Sequence, residues 1–406
     1  MRSPKIRFSQ PSGVPFENWR LAKIKDLCFI TKESINPKTN PDKTFVEYSM
    51  PAFDNCRIPY LRKGKELESL RLAINGDVIL FNKLNIKKMR IWNVKNATAN
   101  SLCSSEFLPL TVKEGFCQDF AFYYLSTKRF TSKLNGKSSG TSNSQKRIRS
   151  EDLLNEEIIF PCLMEQQKIA AFFSTLDEKI SLSERKLEAL EKLKKGLMQK
   201  IFSQSLRFKA KDGHDFDDWK TFKIDDVAFI RGGGTPSTKN EYYWNGNIQW
   251  MTPTEINSKY VHKSLRTITK LGLDNSSAKL LPKGAILLTT RATIGACSIN
   301  NFDGDVCTNQ GFQSLICKQN IIPEFLYYSI TNPVFQKEMQ KNASGSTFLE
   351  ISSANLKKLT LQVPSIEEQE SISTFLSVFD EKIDLIKTKI CALKQLKQGF
   401  MQQMFV

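Results

Sequence analysis

The chain repeats itself after about half its length, and this duplication constrains the fold more than any other feature of the sequence. Arg7-Phe8 recurs as Arg207-Phe208, at an offset of 200 residues. The same offset carries Phe16, Trp19, Lys23-Ile24 and Phe29-Ile30 onto Phe216, Trp219, Lys223-Ile224 and Phe229-Ile230. The central segments 31–135 and 231–340 share little. So long a period indicates a duplicated domain, not a solenoid. One frame with two different inserts indicates two sites of related shape and different specificity.

Each copy continues into a helical segment, where the two copies match at an offset of 203 residues. The pattern P-x(3)-E-Q begins at Pro161 and at Pro364, and D-E-K-I occurs at 177–180 and 380–383. Apolar residues then alternate in steps of four and three, the heptad seam along which helices pair. The seam of the first copy is Ile169, Phe173, Leu176, Ile180, Leu187, Leu190, Leu197 and Ile201, with Ser183 and Lys194 completing the series. The seam of the second copy is Ile372, Leu376, Phe379, Ile383, Ile386, Ile390, Leu393, Phe400 and Met404.

Helices of this length cannot bury a seam inside one domain. At about 1.5 Å per residue, residues 165–202 extend roughly 55 Å. The repeat is the available partner, and a pseudo-twofold relation between the halves makes the pair antiparallel. The alternative is that each helix pairs with another protein. We predict an α+β fold with globular domains at 1–160 and 205–363, and helices within 161–204 and 364–406 that form an antiparallel intramolecular coiled coil.

Inside the two domains, runs of apolar and β-branched residues predict secondary structure locally. Strands are expected at 77–81, 285–289 and 312–317, and short helices at 120–125 and 324–330.

The formal net charge of +17 lies mostly on the two globular segments. Lys and Arg exceed Asp and Glu by 11 in residues 1–160 and by 5 in residues 205–363. Basic surface on folded domains favours a polyanionic partner, and nucleic acid is the leading candidate. On charge alone, an ordinary basic protein is the competing interpretation.

Several other classes of protein are disfavoured by composition. The nine cysteines form no CxxC pair and there are two histidines, so a structural zinc site is not expected. Scattered cysteines suit a reducing cytosol. No apolar run approaches the ~18 residues of a membrane span, and residues 1–20 have no signal-peptide core.

We find no catalytic constellation. The run Asn332-Pro333-Val334-Phe335 lacks the second proline of a methyltransferase motif. Glycines 232–234 are not followed by the lysine of a nucleotide-binding loop. We therefore expect a protein that is not an enzyme and that binds no metal.

The motifs together resemble the specificity subunits of type I restriction–modification systems. The repeated P-x(3)-E-Q, D-E-K-I and K-x-G-[LF]-M-Q patterns carry this resemblance. So do five motifs of the second domain: GGGTPST at 232–238, Tyr243-Trp244, Trp250, the run 291–295 and the run 308–312. The first domain departs from the pattern, because Thr31-Lys32-Glu33-Ser34 follows Phe29-Ile30 where the second domain has its glycines.

The resemblance implies a function for the whole chain. Each domain would read one half of a bipartite, asymmetric DNA target, and the helices would hold the halves apart and dock two methyltransferase subunits. Motor-nuclease subunits would join through the methyltransferase. S-adenosylmethionine, ATP and magnesium would belong to those partners and not to this subunit. Two rivals are a DNA reader in a different restriction or phage-defence complex, and a coiled-coil adaptor without a DNA role.

In the second domain, four features are candidates for DNA contact. Gly233, Thr235 and Ser237 either present N–H and hydroxyl groups to phosphate or form a flexible turn, and Arg231 lies beside them. Arg291 either reads guanine or pairs with Asp303 or Asp305, and Gln310 either reads adenine or is a buried turn residue. Tyr243, Trp244 and Trp250 are interpreted as core or loop anchors. Two residues of a loop before the helix complete this set: Ser346 and Thr347.

In the first domain, basic residues after strand 78–81 are the proposed counterpart of Arg291, although a solvated basic face explains them nearly as well. They are Lys83, Lys87, Lys88 and Arg90. A second group is expected to contact phosphate, adding affinity without sequence information. It consists of Lys146, Arg147 and Arg149.

Near the helix ends, the resemblance implies contacts with the methyltransferase. The candidates are Leu190, Leu193, Gly196, Met198, Leu393, Leu396, Gly399 and Met401. A glycine in a helix costs about 1 kcal/mol relative to alanine. Gly196 and Gly399 therefore indicate close helix approach, a docking surface, or a relaxed helix end.

Overall fold

The computed structural model of the chain describes residues 4–140, 146–291, 293–345 and 349–405. The chain forms two compact units. The first unit comprises residues 1–184 and 388–406, and the second comprises residues 185–387. Each unit combines one globular domain with parts of two long helices.

The first domain is built on a mixed sheet. Its strands are β1 (Arg20–Lys23), β2 (Cys28–Ile30), β3 (Ser34–Ile35), β4 (Thr44–Tyr48), β5 (Tyr60–Lys63), β6 (Arg71–Asn82), β7 (Ile91–Ser104), β8 (Phe107–Val112) and β9 (Glu157–Phe160). Its helices are α1 (Ile24–Leu27), α2 (Met50–Asp54), α3 (Gln118–Leu125), α4 (Lys128–Asn135) and α5 (Ser150–Leu154), and the long helix α6 (Leu163–Phe202) follows. The main sheet has the order β2-β8-β6-β7-β4-β5, with β3 also paired to β6.

In the second domain, eight strands form a five-stranded and a three-stranded sheet, ordered β11-β18-β15-β16-β13 and β14-β12-β17, and β10 and β19 form a separate pair. Its strands are β10 (Lys220–Lys223), β11 (Ala228–Gly232), β12 (Trp244–Met251), β13 (Tyr260–Val261), β14 (Arg266–Ile268), β15 (Ile286–Leu288), β16 (Cys297–Asn300), β17 (Val306–Thr308), β18 (Gln313–Cys317) and β19 (Thr360–Val363). Its helices are α7 (Ile224–Val227), α8 (Lys270–Asp274), α9 (Pro323–Thr331), α10 (Pro333–Lys341) and α11 (Ser353–Lys358), and the long helix α12 (Ile366–Met404) follows.

The residues that repeat in sequence form the same frame in both domains. Strand β1 pairs antiparallel with β9, and β10 pairs antiparallel with β19. The short helices α1 and α7 begin alike, with the backbone N–H of Lys23 bonded to Asp26 and that of Lys223 bonded to Asp226. Each bond satisfies one of the N–H groups left open at a helix start. The inserts, in contrast, form sheets of different topology, as the divergent central segments predict.

A buried carboxylate ties the start of each domain to the start of its long helix. Glu165 is fully buried and accepts hydrogen bonds from Arg7 Nη2 at 2.8 Å and from Trp19 Nε1 at 3.2 Å. The hydrogen bond to Glu165 raises the pKa of Arg7. The second unit repeats these bonds with Glu368, Arg207 and Trp219. We call each set the clamp, and it explains why these residue types recur in the sequence.

The glutamine after each clamp carboxylate closes the preceding loop. Gln166 Nε2 donates to the carbonyl of Pro161 at 2.9 Å, and its Oε1 accepts from the backbone of Cys117 at 3.0 Å. Gln369 makes the matching bonds to Pro364 and Ile322, each 3.0 Å. The P-x(3)-E-Q pattern is therefore a structural junction between domain and helix.

In the first unit, the end of α12 packs against the start of α6. Lys397 Nζ lies 2.5 Å from Asp177 Oδ1, and Lys394 Nζ lies 2.7 Å from Glu184 Oε1. Asp177 precedes Glu184 in α6, whereas its partner Lys397 follows Lys394 in α12, so the two helices run antiparallel. The rings of Phe172 and Phe400 meet edge to face at 5.0 Å. The following residues, Met404 and Phe405, enter the core of the first domain.

In the second unit, the end of α6 packs against the start of α12 in the same sense. Lys387 pairs with Glu191 at 3.1 Å, and Lys194 pairs with Asp380. The seam is buried at Ile169, Phe173, Leu176, Ile180, Ile201, Ile372, Leu376, Ile383, Ile386, Ile390 and Met404. The prediction of an antiparallel intramolecular coiled coil is confirmed.

The locally predicted elements agree with the structure. Residues 77–81 lie in β6, whose last five residues are all buried. Strands β15 and β18 occupy the two predicted runs of the second domain. The predicted helices correspond to α3 and α9.

Candidate nucleic-acid interface

The two glycines after β11 are required by close packing, Gly233 against the end of β17 and the loop that follows it, and Gly234 against the segment between α8 and β15. A Cβ on Gly233 would stand 1.9 Å from the Asn309 carbonyl oxygen, and one on Gly234 would stand 2.2 Å from the Ala278 nitrogen. The N–H of Gly234 donates to the carbonyl of Thr308 at 2.8 Å. This N–H is therefore used within the protein instead of being offered to phosphate. The run holds two loops together, and a flexible turn does not describe it.

The packing of these loops brings two of the predicted contact residues together. Thr235 Oγ1 donates to Gln310 Oε1, although the residues are 75 positions apart. Gln310 is exposed, so its interpretation as a buried turn residue is wrong. Ser237 is also exposed, and so is Arg231, whose guanidinium pairs with no acidic side chain in the described parts of the chain. Arg231, Ser237 and Gln310 therefore present hydrogen-bond donors to solvent.

Trp244 and Trp250 are anchors of this region, as predicted. They are 7% and 4% exposed, and their rings meet edge to face at 5.1 Å. Trp250 Nε1 donates to the carbonyl of Gly234 at 2.9 Å, which fixes the glycine run. Tyr243 packs against the same cluster.

Arg291 is half-exposed and pairs with an acid that the sequence did not indicate. Its Nη2 lies 2.6 Å from Glu350 Oε2, and the two residues also form a β-bridge. The expectation of a salt bridge from Arg291 to Asp303 or Asp305 is wrong. Asp303 pairs with Lys283 instead, and no bond joins Asp305 to Arg291 among the described residues. Ser346 and Thr347 lie outside the described residues.

The first domain contains a structurally equivalent loop. Leu84 bridges Arg147 as Arg291 bridges Glu350. The carbonyl of Lys83 accepts from the N–H of Ile148 at 3.1 Å, and that of Thr290 accepts from the N–H of Ile351 at 3.0 Å. Lys83-Leu84 therefore occupies the place of Thr290-Arg291. Leu84, an uncharged residue, thus stands where the second domain has Arg291, and the predicted counterparts Lys83, Lys87, Lys88 and Arg90 lie beside it in the chain.

The same contacts unite the two basic segments of the first domain. Asn85 N–H donates to the Lys146 carbonyl at 2.8 Å, which places residues 146–149 beside residues 83–90. Four lysines of this surface have no ion pair within the described residues, and we call them the basic surface. They are Lys83, Lys87, Lys88 and Lys146.

The three arginines of this region each pair with an acid. Arg90 bonds to Asp54 at 2.8 Å, Arg147 to Glu106 at 2.9 Å, and Arg149 to Asp152 at 3.0 Å. The hydrogen bond from Arg90 lowers the pKa of Asp54. A new anion at these arginines would have to replace a carboxylate, whereas the described residues place no ion pair on the four lysines of the basic surface.

A polar cavity in the second domain was missed by the sequence interpretation. It has a volume of about 460 Å³, and its lining includes Asn245, Asn247, His262 and Arg266. The guanidinium of Arg266 stacks on the Trp244 ring at 3.6 Å. These residues come from separate strands and loops, so no local pattern marks them.

The helix candidates separate into exposed and buried residues. Leu193 and Leu396 are 51% and 47% exposed, while Met198 is 6% exposed and belongs to the second-unit core. Leu190, Leu393 and Met401 are half-buried. Among the described residues, a Cβ on either Gly196 or Gly399 would meet nothing within 4 Å. The interpretation of these glycines as close helix approach is therefore wrong.

Two further exposed leucines lie on the long helices, and the sequence interpretation missed them. Leu182 and Leu385 are 51% and 70% exposed, and they match at the repeat offset. An apolar residue that repeats outside the seam was the signal that could have found them.

Two further kinds of site are absent from the described residues. Among residues 4–140, 146–291, 293–345 and 349–405, no group of three or more His, Cys, Asp or Glu side chains is placed to hold a metal ion. Within those same ranges, no helix is both long and apolar enough to traverse a bilayer. All nine cysteines are free thiols.

A duplicated frame that carries equivalent loops with unlike side chains defines a two-site recognition scaffold on paired helices. Residues 16–192 and 216–395 match the family model of the type I restriction modification DNA specificity domain. The chain therefore belongs to this family, as a DNA sequence-specificity subunit of a type I restriction–modification system.

Individual relatives agree. The type I restriction enzyme MjaIX specificity subunit of Methanocaldococcus jannaschii is 36% identical over 209 residues, which are 50% of this chain and 48% of that protein. The MjaVIII specificity subunit of the same organism is 24% identical over an alignment that includes 95% of this chain and 91% of that protein. The S subunit of a type I system from M. genitalium shares the fold, with a TM-score of 0.63, 15% identity and coverage of 100% and 99%.

Proposed function

We propose that each domain reads one half of a bipartite, asymmetric DNA target. The observation that carries this proposal is the pair of equivalent loops at Lys83-Leu84 and Thr290-Arg291. The same backbone contacts hold both loops, but their side chains differ, so each would recognise different bases. Side chains on a rigid loop can read base edges through paired hydrogen bonds.

In the second domain, Arg291 is the proposed base reader. Its pairing with Glu350 holds the guanidinium in one orientation at low entropic cost, since the geometry exists before DNA arrives. Gln310, held by Thr235, is a second proposed reader on the same domain. Arg231, Gly233 and Ser237 would support the loop or contact the backbone.

In the first domain, the basic surface is the proposed phosphate contact. Its four lysines form no ion pair within the described residues, so binding a phosphate would break none. Arg90, Arg147 and Arg149 would contribute only by exchanging their carboxylates for phosphate. The basic surface would supply affinity without sequence information.

The paired helices are the proposed docking surface for two methyltransferase subunits. The exposed leucines 182, 193, 385 and 396 form two sets related by the repeat, which suits two copies of one partner. Gly196 and Gly399 would lie at this contact, since no described residue comes within 4 Å of a Cβ placed on either of them. Motor-nuclease subunits would join through the methyltransferase. S-adenosylmethionine, ATP and magnesium would be bound by those partners.

The test is to map methylated adenines in a host with and without this gene. We expect methylation at one bipartite sequence that disappears with the gene. Arg291→Ala should weaken recognition at one half-site by about 1–3 kcal/mol and leave the other half-site unchanged. Unchanged methylation in the variant would remove Arg291 from the reading residues. A genome without gene-dependent methylation would contradict the proposed function.

A further inference from the structure

Two lysines interrupt the apolar seam of the long helices at equivalent places. Lys194 of α6 and Lys397 of α12 are separated by the repeat offset of 203 residues. Their side chains are only 16% and 26% exposed. A lysine in a helix seam lowers stability, and its best-known use is to specify one arrangement among several.

In the first unit, Lys397 is part of a three-residue contact. Asp177 of α6 accepts from Lys397 Nζ at 2.5 Å and from the hydroxyl of Tyr123 at 2.9 Å. The ammonium also lies 5.3 Å from the centre of the Tyr123 ring. Tyr123 belongs to α3 of the first domain. One carboxylate therefore joins the domain, the helix that follows it and the other long helix.

The second unit contains the same contact. Asp380 of α12 accepts from Lys194 Nζ and from the hydroxyl of Tyr328 on α9. The ammonium of Lys194 lies 5.2 Å from the Tyr328 ring. A serine stands beside the tyrosine hydroxyl in both units, namely Ser174 at 3.5 Å and Ser377 at 3.3 Å. The contact is therefore duplicated with the fold, although the domain inserts diverge.

The second unit adds a buried lysine to this contact. Lys259 Nζ donates to Tyr328 Oη at 2.8 Å and to Ser377 Oγ at 2.7 Å, and its side chain is 7% exposed. Burial lowers the pKa of Lys259. Its Nζ also lies 3.8 Å from Asp380. Among the described residues, no lysine bonds to Tyr123 in this way, so this contact has more hydrogen bonds in the second unit than in the first.

We propose that Tyr123–Asp177–Lys397 and Tyr328–Asp380–Lys194 are positioning contacts that set the angle of each recognition domain on its stretch of the helix pair. A domain that tilts on the helices moves its reading loops along the DNA, so the contacts help to select the spacing between half-sites. The proposal rests on the proposed function, because it assumes a bipartite target. It assigns these residues no contact with DNA.

The test uses the full chain assembled with its methyltransferase. Methylation rates are measured on DNA targets that keep both half-sites and carry the natural spacer, or one shorter or longer by one base pair. Tyr123→Phe and Tyr328→Phe keep the ring and remove the hydroxyl. Glu184→Gln is the matched control, because it breaks only the exposed pair with Lys394.

We expect Tyr123→Phe to raise the relative rate on wrong-spacer targets by about three- to tenfold, the equivalent of one hydrogen bond. Tyr328→Phe should have a smaller effect, because Lys259 still bonds to Ser377. Base preference within each half-site should be unchanged, and Glu184→Gln should behave as the wild type. Lys397→Met restores an apolar seam, and it should broaden spacer use even where the melting temperature does not fall.

Unchanged spacer profiles in both tyrosine variants would overturn the inference, as would altered base preference within a half-site. Broadening in Lys397→Met without loss of stability separates a positioning role from a merely structural one. A wild-type complex that ignores spacer length would contradict the bipartite target itself, and this is seen before any variant is made.

Discussion

Removal of the clamp carboxylate should destabilise one unit strongly. Glu165 is fully buried and holds Arg7 through two bonds, at 2.8 and 3.1 Å, and Trp19 through one at 3.2 Å. In Glu165→Ala the guanidinium, 20% exposed, and the buried indole N–H lose this acceptor. Breaking a buried pair by removing one partner costs about 3–5 kcal/mol. Arg7 keeps bonds to the carbonyls of Phe16 and Glu17, so the lower end, about 3 kcal/mol, is expected.

The assay is urea unfolding combined with hydrogen exchange of the strand pair β1 and β9, which lies beside the clamp. Glu368→Ala should give the same loss in the second unit, because Arg207 and Trp219 make the same bonds there. The control is Glu184→Ala, whose exposed pair with Lys394 is worth about 0–1 kcal/mol. The expected loss would be contradicted if the free energy of unfolding of Glu165→Ala lay within 1 kcal/mol of that of Glu184→Ala.

Three further predictions concern packing, pH and salt. Gly233→Ala should disrupt the second domain, because its Cβ would stand 1.9 Å from a carbonyl oxygen. Gly196→Ala should instead stabilise the isolated chain by about 1 kcal/mol, and melting temperatures of the two variants test both expectations. Burial alone would raise the pKa of Glu156, but hydrogen bonds from Lys133 and Lys137 outweigh it and lower the pKa below the ordinary 4.5. The stability from Glu156 should therefore be present above pH 4.5 and be lost as the pH falls through the lowered pKa, and unfolding of Glu156→Gln should show a weaker acid dependence. Alanine at Lys87 and Lys88 should each reduce the slope of log affinity against log salt by about 0.9, measured by DNA titration, and an unchanged slope would exclude phosphate contact.

The architecture could be predicted because its signals are local or repetitive. A heptad seam appears as apolar residues three and four positions apart, and the duplication appears as identities at a constant offset. The strands at 77–81 and 312–317 were visible as apolar runs. None of these signals requires knowledge of which distant residues meet.

The site could be predicted only in part, because the availability of a charged side chain depends on a partner elsewhere in the chain. Arg90 and Arg291 look equally available in the sequence, yet each pairs with an acid at least 36 residues away. The glycines at 233 and 234 suggested an open loop, but they are required by contact with residues more than 40 positions later. Neither the arginine–carboxylate pairs nor the glycine contacts produce a repeating pattern in the sequence.

The sequence by itself determined that this protein has two related domains, two pairing helices and an excess of positive charge on the domains, since periodicity and composition are properties of the chain alone. Only the tertiary structure decided which arginines are held by carboxylates and which lysines form no ion pair among the described residues. The tertiary structure also explains the lysines at positions 194 and 397 of the seam, because each pairs with an aspartate of the other long helix. The physical reason is that ion pairs and close contacts join residues by distance in space, which the order of residues along the chain does not encode directly.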